Sequence, residues 1–117
     1  MPRKERITRK EIAAAAFRMA RKEGMEEVTA RKLAGAAGCS TQPIFRVYQN
    51  MDEVQADVLE QAVAFFEEFY NNYPKSQAVP FVNLGLAYIS FAQKEGNLFR
   101  AMFLSENRNG RSLYELL

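Results

Sequence analysis

Thr29-Ala-Arg-Lys-Leu-Ala-Gly-Ala-Ala-Gly-Cys-Ser-Thr-Gln-Pro-Ile-Phe-Arg-Val-Tyr48 is the stretch whose reading decides the fold. Thr29 is placed to cap a short helix, and Gly38 can take the left-handed conformation that ends it without Cβ strain. Ser40 is positioned to cap the next helix, which the pattern carries to about Tyr48. Ala34 sits where two helices cross closely, so a larger side chain would push them apart. Ile44 and Val47 supply the apolar anchors of the second helix. Two short helices meeting at a glycine turn, with small residues at the crossing, form a helix-turn-helix.

Outward from this stretch, everything reads as helix. Thr8 with Glu11 three residues on is a capping box, and Gly24 marks the stop of a first helix. Ile12, Ala15, Ala16, Met19 and Ala20 follow its apolar face. A long helix begins near Asn50 or Asp52 and runs to about Tyr73, before Pro74. Residues 74–80 form a loop. A fifth helix spans about Pro80 to Glu95 and stops at Gly96, and Asn97 is placed to cap a sixth through Phe103. Residues 112–117 resemble the first turns of a further helix. The chain ends on Leu116-Leu117, as expected of a chain lacking later helices. The expected class is all-α, with one unit over residues 1–49 and a second, incomplete helical unit over residues 50–117.

Net charge is +2, but it is unevenly spread. Residues 1–50 carry eleven Lys/Arg against five Asp/Glu, and residues 51–117 carry five against nine. The basic half suits a polyanion and the acidic half repels one. No apolar run reaches the roughly 18 residues that a membrane span needs. The basic start has no apolar segment behind it, so it is no secretory signal. With one cysteine, Cys39, no internal disulfide forms, and a reducing cytoplasm fits. The absence of histidine removes histidine-based triads, and no metal-ligand cluster is visible. Neither an enzyme, a cofactor nor a metal is expected.

Placed on a wheel with Ile44 inward, the second helix turns Gln42, Phe45, Arg46 and Gln49 outward. Gln pairs with adenine and Arg with guanine in a DNA major groove. Thr41, at the helix start, reaches a phosphate or a thymine methyl. Arg3, Lys4, Arg6, Arg9 and Lys10 make a basic arm. Thr29 and Arg31 stand at the start of the helix before the turn. Contacts of that kind, with Ser40 and Phe45, fix register on the backbone and carry no sequence information.

These residues resemble the N-terminal region of the tetracycline-repressor family of bacterial transcription regulators. The resemblance runs from about Ile12 to Val54. It rests on Ile12-Ala-Ala-Ala-Ala-Phe17, Val28-Thr-Ala-Arg-Lys-Leu-Ala34, Ala37-Gly-Cys-Ser40 and Ile44-Phe-Arg-Val-Tyr48, followed by Asn50-Met-Asp-Glu-Val54. It implies a tri-helical, homeodomain-like DNA-binding domain over residues 1–49, followed by a partial regulatory domain for ligand binding and dimerisation over residues 50–117. It also implies a homodimer that binds a palindromic operator on double-stranded DNA and represses transcription in response to a small effector. Carried over, Thr41, Gln42 and Arg46 read bases, while Thr29 and Tyr48 meet phosphate. The family's usual Tyr stands here as Phe45 and its usual Lys as Met51, which removes a phosphate-facing hydroxyl and a cation.

Eleven of the fourteen aromatic residues follow residue 64. A helical core takes most of them. Phe65, Phe69, Tyr88, Phe91, Phe99 and Phe103 are the candidates for lining a pocket for an apolar or aromatic effector. The alternative function is a helical protein-interaction or small-molecule-binding module whose helix-turn-helix no longer reads DNA.

Overall fold

The capping signals set the first boundaries. In the computed structural model, which describes residues 7–104, α1 spans Arg9–Glu23. Thr8 accepts from the Glu11 amide and Glu11 returns a bond to the Thr8 amide, the expected capping box. Gly24 ends α1 at φ 107°. A 3₁₀ turn over Met25–Glu27 leads to α2, Ala30–Ala37, capped by Thr29 through the Lys32 amide. Gly38 adopts the left-handed conformation at φ 74°, and the Cys39 amide closes back on the Ala34 carbonyl at 2.9 Å.

The next helix differs from expectation. α3 covers Gln42–Val47, and its N-cap residue is Thr41, not Ser40. Thr41 already has helical dihedrals, so its hydroxyl caps no amide, and its carbonyl instead accepts from Ile44 and Phe45. Pro43 in the first turn costs no helix bond. α4 spans Met51–Asn72 behind an Asn50 cap, with Asp52 and Glu53 in its first turn.

Residues 74–79 form the expected loop, pinned by the buried Asn83, which exchanges two hydrogen bonds with the Gln77 backbone at 2.9 and 3.0 Å. α5 is Pro80–Lys94. It ends at a Glu95 cap directly before Gly96, as expected; Gly96 then begins α6, Gly96–Phe99, and the chain continues as a π turn over Arg100–Leu104. Asn97 does not cap. Its amide nitrogen donates to the Arg21 carbonyl at the end of α1, 3.0 Å away. Among the described residues there is no strand, so the all-α expectation holds. No helix there is long and apolar enough to cross a membrane.

Two buried clusters share α4. The first gathers Ile12, Ala16 and Ala20 of α1, Leu33 and Ala34 of α2, Ile44, Tyr48, and then Val54 and Val58. The second begins at the next residue, Leu59, and joins Ala62 and Phe66 to Phe91, Leu98 and Met102. The change from one core to the other therefore falls inside α4, later than the 49/50 division drawn from sequence. Phe17 and Met25 pack against both clusters. Arg21 also bridges to Glu95 through two short bonds of 2.7 and 2.9 Å. The two halves are joined along their sides as well as through α4.

Candidate nucleic-acid interface

α3 has six residues, too few to be stable as an isolated helix, so its position is imposed by packing. Ile44 is fully buried and Val47 packs half-buried against the first core. With that side fixed, helical geometry turns Gln42, Phe45 and Arg46 to solvent. Ser40, Thr41, Gln42, Phe45 and Arg46 line one open depression on the surface. All three expected base readers are thus brought together on one exposed face. Phe45, at 46% exposed, is the large apolar side chain among them. Gln49 lies exposed beyond the end of the helix.

The expected backbone contacts divide. Thr29 and Arg31 are exposed at the start of α2, where free amides and the helix dipole favour an anion. Ser40 is exposed, released from the capping role expected of it. Arg3, Lys4 and Arg6 lie outside the described residues. Lys10 is exposed. Arg9 is half exposed at the start of α1, and its guanidinium reaches the Val47 carbonyl at 3.4 Å. The basic end of α1 is therefore adjacent to the end of α3.

Tyr48 is a correction. Its hydroxyl, expected on a phosphate, points inward and donates to Asp57 Oδ2 at 2.6 Å. Only 2% of Tyr48 is exposed. Arg9 completes the cluster: it pairs with Asp57 at 3.1 Å and lies 4.4 Å above the Tyr48 ring. The trio ties the start of α1 and the end of α3 to α4. Asp57 stands among acidic residues of α4, a pattern that by itself suggests a solvent-facing carboxylate. Its spacing from Val54 and Val58, three residues before and one after, is the signal that it borders the buried side of α4.

Desolvation, and then the hydrogen bond to Asp57, push the Tyr48 phenol well above its ordinary value near 10. The folded chain therefore keeps this proton where the unfolded chain releases it. The resulting stability is complete below pH ~10 and is lost as pH rises above that. Tyr48→Phe should cost about 1–2 kcal/mol at neutral pH, since a bond to a charged acceptor goes. It should also flatten the alkaline decline. Urea unfolding of parent and variant at neutral pH and near pH ~11 measures both. Identical pH dependence in the two proteins would contradict the buried hydroxyl.

The expected effector pocket is also rearranged. Phe91 and Phe103 are buried core residues. Tyr88, Phe99 and Phe103 pack against one another in tilted and edge-on contacts, with ring centroids 4.9 to 5.2 Å apart, so the three rings fill one another's space. Of the six candidates, Phe65 and Phe69 border an open groove of about 330 Å³ between the ends of α4 and α5. Glu68, Asn72, Tyr73, Pro74 and Lys94 complete its walls. Sequence reasoning missed these polar members because their convergence depends on how α5 returns along α4. Among the described residues, no three potential metal-ligating side chains of the His, Cys, Asp and Glu types come together.

Comparison with protein-family models, with curated proteins and with solved structures finds no match for this chain.

Proposed function

We propose that this chain is a DNA-binding regulator of transcription. It lays α3 in the major groove and works as a homodimer on a palindromic operator. The observation that carries the reading is the shared depression of Thr41, Gln42, Phe45 and Arg46 on an α3 fixed from behind by Ile44. An amide and a guanidinium on one exposed helix face match adenine and guanine edges. Arg31, Lys10 and the basic N-terminal arm supply phosphate neutralisation. We further propose repression relieved by a small aromatic effector. The groove bordered by Phe65, Phe69 and Tyr73 supports it, with Lys94 and Glu68 to orient a polar group.

Selection of bound sites from random duplex DNA tests the reading, and a palindromic consensus is expected. Arg46→Ala should relax preference at one base position by about 1–3 kcal/mol, with affinity elsewhere little changed. Binding should weaken steeply between low and moderate salt. A chain that binds no duplex at any salt is instead a protein-interaction module, which the exposed Phe45 would suit.

A further inference from the structure

Six large hydrophobic side chains stand exposed among the described residues, and five lie at the start or along α5: Val79, Phe81, Val82, Leu86 and Ile89. Phe81 is the extreme, at 79% exposed. The opposite side of α5 turns inward: Phe91 belongs to the second core, Leu84 and Tyr88 pack against it, and Ala87 is buried. At 100° per residue, Val82, Leu86 and Ile89 fall within about 60° of one another, facing away from that core. Positions 79, 82, 86 and 89 alternate spacings of three and four residues, which is the seam pattern of two helices packed side by side.

Three further properties say what covers the seam. From Pro80 to Gln93 there is no Lys, Arg, Asp or Glu, so the face offers nothing to a charged partner. Its exposed apolar area is on the order of 450 Å², within the range of the largest apolar patch of a single chain, a patch that is often functional. Two such patches with their rims reach the roughly 1,000–1,200 Å² at which specific interfaces begin. Gly85 lies on the outer side, and a Cβ built there meets nothing within 4 Å. A glycine inside a helix weakens it relative to alanine. No contact among the described residues requires its small size, whereas a second helix can approach closely at that point.

We infer that this face of α5 is the two-fold interface between two copies of the chain, with α5 packed on α5. A neutral, apolar, evenly spaced stripe is complementary to its own copy, which is the condition for an isologous contact. The inference deepens the homodimer proposed above and rests on that reading for its symmetry. It is tested without DNA, so its failure and the failure of base reading by α3 are separate results.

Sedimentation equilibrium of the 117-residue chain across a concentration series should give twice the 13.4 kDa of one copy. Leu86→Glu with Ile89→Glu should weaken the dimer by about a hundredfold or more, because like charges would meet in a dry seam. Circular dichroism should show both variants folded, since these side chains face solvent in the single chain. Gly85→Ala is the second arm. It should melt no lower than the parent at high dilution, yet weaken the dimer about tenfold by forcing the helices apart. A parent chain that stays at 13.4 kDa at high concentration overturns the proposal. So does a dimer that all these substitutions leave equally tight.

Discussion

Ile44→Ala is expected to lower unfolding free energy by about 3 kcal/mol, within the usual range for truncating a fully buried aliphatic side chain. Ile44 is 0% exposed and stands at the middle of a six-residue helix. Its removal withdraws both transfer energy and packing from the element least able to stand alone. α3 should therefore loosen before α1 or α4. Hydrogen exchange should speed up first at the amides of Phe45 and Tyr48, which close on Thr41 and Ile44. Chemical unfolding gives the total. A loss below about 1 kcal/mol would show that the neighbours collapse into the space and that Ile44 does not fix α3.

The second large effect is expected at the other core. Phe91 is fully buried and meets Phe66 and Phe69 edge-on at 5.0 and 5.4 Å. Phe91→Ala should cost about 4 kcal/mol, combining lost burial with a cavity between α4 and α5. A small chain has only about 5–15 kcal/mol of net stability, so the variant is expected to be near its folding limit at 37 °C. Both substitutions should lower one common transition rather than split it, because α4 contributes to both clusters and Phe17 and Met25 pack against both. Thermal unfolding followed by calorimetry checks this. Two resolved transitions in either variant would mean that the clusters fold independently.

What could be read from sequence was mostly local. Thr8 with Glu11, Thr29, Gly38 and Asn50 all act as their residue types and spacing suggested. A cap is satisfied within four residues, so nothing distant can overrule it cheaply. Ser40 failed because Ser40 and Thr41 are both cap residues, and the closure after Gly38 delays the helix by one position. The Asn97 cap failed for a different reason. Asn97 is engaged by the Arg21 carbonyl, 76 residues away in sequence, and Glu95 by the Arg21 side chain. Such partners leave no local mark.

The recognition face shows the same division. Helical periodicity was enough to turn Gln42 and Arg46 outward once Ile44 was taken as inward. Tyr48 was misjudged because its periodicity and its hydroxyl point to different partners. The ring follows Ile44 into the core, and the hydroxyl is taken up by Asp57 on a helix whose approach is set by tertiary packing. The aromatic half was legible only as composition. Adjacent pairs such as Phe65-Phe66 fix that one ring turns away from the other, not which neighbour each will meet.

One mechanical consequence follows from the division of the cores within α4. The helix has 22 residues and no proline, so it behaves as a stiff rod about 33 Å long. Asp57 grips Arg9 and Tyr48 near one end, while Phe66 and Phe69 bear on Phe91 towards the other. A rod held at two stations acts as a lever. A change in tilt of about 5° about the aromatic station would shift Asp57, roughly 15 Å along the helix, by about 1.3 Å, enough to strain a hydrogen bond. Whatever re-seats the aromatic station is therefore felt where the helix meets Tyr48 and the end of α3.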